Sequence, residues 1–337
     1  MSELLIKLCP NVSHFVKSEL IKRIILNNAL RIADTFLHMD SEVKKKLVET
    51  FLDLEQIEIN LFRSKHLIPG IPDSPRVYGG QIIGQALTAA QLTMSDNFHP
   101  HSLHCYFLSG ADKDLPLIYY VDKIRDGRSF CNRFVKAVQN GVAVFTSEIS
   151  FHKEEVESIS HQTQMPDVPS PDELDSVETL FHNHLETCTD EKIRKQTILR
   201  MQHLPVAFDM RPVNAQQFLR LKATEPKYFC WIKVKDLLGE NRCLHQAAAA
   251  FMSDSCMVST ALFPYSCTSL KIGMAVSLDH SIWFHRHSFS IDQWMLYETE
   301  STIAANSRAL VHGRLWSRDK KLVLSTAQEV LIRAAIS

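Results

Sequence analysis

Sixteen histidines and eight cysteines are the residues here most able to ligate metal or attack a substrate, and their spacing argues against both roles. Cys9, Cys105, Cys131, Cys188, Cys230, Cys243, Cys256 and Cys267 contain no C-x-x-C pair, and most lie inside apolar runs. That pattern reads as reduced, core-type thiol of an intracellular protein, with no disulfide framework and no zinc site. There is no His-Glu-x-x-His. His182 and His184 fall in a polar stretch that reads as a solvated helix face. Gly79, Gly80 and Gly84 resemble a phosphate loop only superficially. Neither Gly-x-Gly-x-x-Gly nor Gly-Lys-Ser/Thr is present, so close packing at a helix start is the expectation. Without Gly-x-Ser-x-Gly, a serine nucleophile of the α/β-hydrolase type is disfavoured. Arg128 reads as a solvated arginine, and Trp283, Phe284 and Phe289 read as core.

The elements that must hold any site are clearer than the site itself. The chain has 337 residues, 45% hydrophobic and 22% charged, with a formal net charge of -1. This is soluble globular composition with no electrostatic case for nucleic acid or an anionic membrane. No uninterrupted apolar stretch is long enough to span a bilayer. Residues 16–52 show apolar residues at helical spacing, which reads as a surface helix. Residues 153–176 are acidic and carry Pro166, Pro169 and Pro171, the composition of a linker. A polar helical pattern follows to about Arg200. The chain therefore divides into an N-terminal extension (1–53), a front unit (54–152), a linker with a helix (153–204) and a rear unit (205–337).

Each unit opens with an almost uncharged helix pattern, at 80–92 and 245–262. Such a helix is buried on most sides, and its small residues admit close backbone approach. In the front unit, strand patterns at 101–108, 117–124, 129–138 and 142–151 follow, the last three joined by Asp126-Gly127 and Asn140-Gly141. Strand, turn, strand, turn, strand of this kind predicts an antiparallel meander. The rear unit repeats the plan at 276–285, 294–301, 308–316 and 322–332. His101-Ser102-Leu103 and His280-Ser281-Ile282 open matching strands, so an internal duplication is expected. A sheet curled around its own helix, with two such sheets side by side, is the physical solution.

Several segments carry a family resemblance. In the front unit they are Arg76-Val77-Tyr78-Gly79-Gly80-Gln81, the stretch from His101 to Leu108, and Arg125-Asp126-Gly127-Arg128-Ser129-Phe130. In the rear unit they are Leu244-His245-Gln246, Ser253-Asp254, the stretch from Asp279 to Arg286, and Ser325-Thr326-Ala327-Gln328-Glu329. In this order they resemble the type II acyl-CoA thioesterase family, including its peroxisomal eukaryotic members. The resemblance runs from about residue 54 to the C-terminus. It implies an α+β double-hotdog fold of two antiparallel sheets, each wrapped around a central buried helix. It also implies hydrolysis of fatty acyl-CoA to free fatty acid and coenzyme A without a covalent intermediate, with no cofactor. The family's catalytic trio carries over by motif to Asp254, Ser277 and Gln328.

Those three residue types suit the chemistry. Water attacking a thioester carbonyl needs to be held, needs a group to take its proton, and needs donors for the oxyanion. An Asp buried in an apolar helix is a candidate base, since desolvation disfavours its charged form. A hydroxyl and an amide can hold both carboxylate and water. Backbone N–H groups at a helix N-terminus are candidates for the oxyanion. Taken alone, Ser253-Asp254-Ser255 is equally good helix-cap composition. Two other readings stand beside the thioesterase: a hotdog enoyl-CoA hydratase and a non-catalytic acyl-CoA-binding protein. The hydratase needs an Asp and a His together, and His245 is nine residues from Asp254, on a different helix face. The expected partners are acyl-CoA as substrate and further copies of the chain in a homo-oligomer, with no nucleic acid and no membrane span. For location, a peroxisomal matrix protein is the expectation, ahead of a cytosolic or mitochondrial one. The ending Ala335-Ile336-Ser337 departs from a Ser-Lys-Leu type address, and Lys7-Leu8 with His14-Phe15 loosely resembles an N-terminal peroxisomal signal.

Overall fold

The computed structural model describes residues 47–70, 74–201 and 207–335. Most of the helix expected over 16–52, and the loose targeting pattern at Lys7 to Phe15, lie outside these residues. The end of that stretch forms α1 (Leu47–Leu52), whose Val48, Phe51 and Leu52 are buried in the main core.

The front unit contains β1 (Leu54–Glu58), β2 (Leu61–Ser64), α2 (Gly79–Gln91), β3 (Phe98–Phe107), β4 (Ile118–Asp126), β5 (Phe130–Gln139) and β6 (Val142–Lys153). A connecting segment carries α3 (Val177–Thr187) and α4 (Glu191–Met201). The rear unit contains β7 (Phe208–Pro212), α5 (Ala215–Phe218), β8 (Lys227–Val234), α6 (Arg242–Ser253) and α7 (Met257–Leu262), then β9 (Ile272–Ser277), β10 (Asp279–Phe284), β11 (Met295–Ala305), β12 (Arg308–Ser317) and β13 (Leu322–Ala334). The meander turns form as their residues dictate. Asn140 and Gly141 both take positive φ, at 51° and 79°, which matches the twist of the flanking strands.

The two expected sheets are one. Antiparallel pairing of β3 with β10 joins them into a continuous sheet ordered β1-β2-β4-β5-β6-β3-β10-β13-β12-β11-β8-β7, with β9 on β13. Pairing removes the one open edge, β3 or β10, that each half would otherwise expose there. Leu103 faces Ile282 directly, and both are fully buried. These are the third residues of the two matching His-Ser-apolar triplets, so the axis relating the repeats passes between them. This is the double-hotdog α+β fold.

The buried helices α2 and α6 pack antiparallel, Gly80 against Phe251 and Gly84 against Ala247. A Cβ on Gly80 would sit 2.2 Å from the Phe251 carbonyl oxygen, so the small residues permit this contact. Gln91 Nε2 donates to Gln246 Oε1 (2.8 Å) across the same interface.

Several sequence expectations change. The helix expected over 245–262 is two helices, broken where Cys256 takes φ 69°. The strand expected over 276–285 is interrupted at Leu278. Strands β1, β2, β7 and β8 had no counterpart in the sequence reading. Core-type cysteine holds for Cys105, Cys131 and Cys230, but Cys243 and Cys267 are exposed, because they lie on a helix start and a loop. Trp283 is 39% exposed and meets His104 on the sheet's outer face, while Phe284 points inward as expected. The proline-rich segment is docked: Met165 packs with Trp231, Leu296 and Trp316, and Trp231 Nε1 donates to Pro169 O (2.8 Å).

Candidate active site

The break after α6 places Asp254 at the junction of the repeats. Asp254 occupies the C-cap of α6 and is half-buried. Its carboxylate caps a helix of the other repeat. At the N-cap of α2 stands Tyr78, whose side chain caps nothing, so the first-turn N–H groups need an acceptor from elsewhere. Gly80 N–H donates to Asp254 Oδ2 (2.9 Å). The partial positive charge of a helix N-terminus favours an anion there. The glycines that read as close packing thus also present a backbone donor. The cap-like composition around Asp254 is real, but the helix capped lies 174 residues away in sequence.

A β-bulge aims Ser277. Ser281 lies opposite Ala327 and Ser277 opposite Val330, so four residues advance on one strand against three on β13. The extra residue is at Leu278, whose N–H donates to Glu329 O and whose carbonyl accepts from Phe107 N–H (both 2.9 Å). In unbroken register Ser277 would face away from the core; the bulge turns it inward.

The three carried-over residues come together as a chain of hydrogen bonds. Gln328 Nε2 donates to Ser277 Oγ (2.7 Å), and Ser277 Oγ donates to Asp254 Oδ1 (3.3 Å). Gln328 is fully buried on β13, where its amide must be satisfied by protein groups. Its oxygen lies 2.5 Å from His280 Nδ1, and His280 Nε2 lies 2.8 Å from Ser253 Oγ. The chain runs Ser253, His280, Gln328, Ser277, Asp254, and it closes through the peptide bond between its ends. Tyr78 Oη adds contacts to Ser255 Oγ (3.1 Å) and Phe251 O (3.3 Å), and burial beside the Asp254 charge pushes its phenol up.

Gly80, Tyr78 and His280 also join this cluster, and the sequence does not single them out. All three lie in the segments that carry the resemblance, and that was their only signal. His245, the histidine weighed against Asp254, points to Gly239 O (2.8 Å) and accepts from Ile291 N–H, away from the site. Among the described residues, the first repeat has no copy of the polar chain. Under the axis relating Ser102 to Ser281, Phe98 takes the place of Ser277 and Phe151 that of Gln328.

Burial holds the His280 imidazole below its ordinary value of 6.5, against the opposing pull of Asp254, the Gln328 hydrogen bond and Asp279. His99, His101, His184 and His285 are lowered by the same cause. Neutral histidine in the fold means that the unfolded chain binds more protons once pH falls below about 6.5. Stability is therefore complete above that value and is lost as pH falls toward the folded values. The midpoint of thermal unfolding is expected to drop between pH 7 and pH 5.5, with a shallower slope in His280→Asn. An identical slope in both proteins would contradict a neutral, buried His280.

A family model described as the acyl-CoA thioesterase N-terminal domain matches residues 69–152, and its C-terminal counterpart matches residues 171–332. Human acyl-coenzyme A thioesterase 8 is 41% identical over 293 residues, covering 87% of this chain and 90% of that protein. The peroxisomal acyl-coenzyme A thioester hydrolase 1 of Saccharomyces cerevisiae is 24% identical over 336 residues, covering 86% of this chain and 95% of its own. Among solved structures, acyl-CoA thioesterase II TesB2 from Mycobacterium marinum superposes with a TM-score of 0.68 at 32% identity, covering 86% of this chain and 98% of that one. With both domain models matched in order over most of its length, this chain belongs to the type II acyl-CoA thioesterase family.

Proposed function

We propose that this protein hydrolyses fatty acyl-CoA thioesters with a water held by Asp254, Ser277 and Gln328. The observation that carries the residue assignment is the hydrogen-bond chain from Gln328 through Ser277 to Asp254, with Gly80 N–H on the second carboxylate oxygen. Asp254 accepts a proton from water as the water oxygen attacks the thioester carbonyl carbon. The carbonyl electrons move onto oxygen, and the N-terminus of α2 supplies favourable potential for that charge. Collapse breaks the C–S bond, and the coenzyme A thiolate takes up the proton. The products are the free fatty acid and coenzyme A, and no covalent bond to the protein forms.

Ser277 passes orientation from Gln328 to Asp254 and has no nucleophilic part in this scheme. Ser277→Ala is expected to lower kcat by about 10- to 100-fold, the usual effect of losing one positioned hydrogen bond. Thiol release from short, medium and long acyl-CoAs tests the function itself. No release from any of them would overturn it.

A peroxisomal setting belongs to the same reading. It is supported by the name of the yeast relative. Fluorescent fusions at each end of the chain test it. Association of protomers through the outer sheet face, where Tyr106 and Trp283 are exposed, is the other part, and light scattering of the purified protein tests it.

A further inference from the structure

We propose that His280 is a positioning residue that sets which way the Gln328 amide faces, and through it the direction of the whole hydrogen-bond chain ending on Asp254. The proposal rests on the trio assignment above. It starts from a symmetry problem. A glutamine amide can present either its oxygen or its nitrogen to Ser277, and the two orientations have nearly the same shape. If the oxygen faced Ser277, the serine hydroxyl would donate to Gln328 and have no proton for Asp254. If the nitrogen faces Ser277, the hydroxyl accepts from Gln328 and its single proton goes to Asp254. Only the second arrangement orients the carboxylate.

The other end of the amide makes the choice. Gln328 Oε1 lies 2.5 Å from His280 Nδ1, and His280 is fully buried. With a proton on Nδ1, the imidazole donates to that oxygen, and the amide nitrogen is forced toward Ser277. His280 Nε2 lies 2.8 Å from Ser253 Oγ, and that hydroxyl has Ala250 O at 2.8 Å as its other acceptor. With Nδ1 protonated against Gln328, the hydroxyl gives its one proton to the bare Nε2 in place of Ala250 O. Ser253 is also fully buried and is the residue directly before Asp254. His280 thus ties the amide that orients the acid to the backbone that carries the acid. Both its ring nitrogens are taken, by Gln328 and Ser253, and the ring is fully buried. His280 therefore acts through Gln328 and does not meet the substrate.

The ring geometry provides a discriminating set of variants. An asparagine amide nitrogen can stand where Nδ1 stands and still donate to Gln328. A glutamine reaches instead toward the Nε2 position and Ser253. Leucine keeps the bulk and removes both nitrogens. His280→Leu and His280→Gln are each expected to lower kcat for acyl-CoA by about 100-fold with KM changed little, while His280→Asn recovers at least about ten-fold of that loss. The decisive measurement is the double variant. Since His280 works through Gln328, His280→Leu should cost little further kcat in a Gln328→Leu background.

Two failures are distinguishable. If Gln328→Leu alone keeps wild-type kcat, the trio assignment is wrong. If Gln328→Leu is impaired but the His280 effect adds in full to it, or if Asn and Leu are equally poor, His280 is a packing residue and this proposal fails. Should His280→Leu not fold, the comparison of His280→Asn with His280→Gln carries the same test, because both keep a buried amide at the site.

Discussion

Asp254→Asn is expected to lower kcat for acyl-CoA hydrolysis by about a thousand-fold, the scale for removing a general base held in place. The change is nearly isosteric. The remaining amide oxygen can accept from Gly80 N–H as Oδ2 does now, so α2 keeps its cap. What the amide cannot do is take a proton from water. The loss should therefore fall on kcat, with KM and the unfolding midpoint close to wild type. A kcat within about three-fold of wild type would remove Asp254 from the chemistry.

The same variant separates the competing readings. A protein that only binds acyl-CoA would release no thiol before or after the substitution. A hydratase would change the absorbance of an enoyl-CoA without releasing thiol. The geometry favours neither. The histidine a hydratase would need beside its acid is not supplied by His245, which lies toward the far end of α6, bonded to Gly239 and Ile291. His280 is fully buried, with both ring nitrogens engaged by Gln328 and Ser253.

What the sequence made legible was local. The uncharged stretch of α2 read as a buried helix because every face of it is buried. The β4-β5-β6 meander read correctly because Asn140-Gly141 announces its own backbone conformation. Strand β8 was missed because its burial pattern does not alternate cleanly: Cys230, Trp231 and Ile232 are all buried in succession. The break at Cys256 was missed because apolar composition runs through it, and a cysteine at φ 69° has no composition signal. The Leu278 bulge is a relation between β9, β10 and β13, so no window along one strand contains it. Asp254, Ser277 and Gln328 came from resemblance alone. Their partners Gly80 and His280 were invisible for the same reason as the bulge: hydrogen bonds spanning 174 and 48 residues leave no local pattern.

Gly80→Ala tests whether the junction of the repeats and the site are one construction. The new methyl carbon would stand 2.2 Å from Phe251 O and 2.5 Å from Tyr78 Cε1. The first contact is to helix backbone, which cannot rotate away, so α2 and α6 must separate. Overpacking of this kind costs about 3 kcal/mol. The normal helical preference of alanine over glycine, about 1 kcal/mol, offsets only part of it. Separation also draws Gly80 N–H away from Asp254 Oδ2, so kcat should fall by about ten-fold in protein that remains folded. Gly70→Ala is the control: its Cβ would meet nothing nearer than 3.5 Å, and both stability and kcat should stay near wild type. If Gly80→Ala lowered the unfolding midpoint but left kcat unchanged, the helix cap would be structural only. The α2 N-terminus would then have no part in holding the Asp254 carboxylate for reaction. If kcat fell with the midpoint, the contact that holds the two repeats together would be the contact that aims the acid.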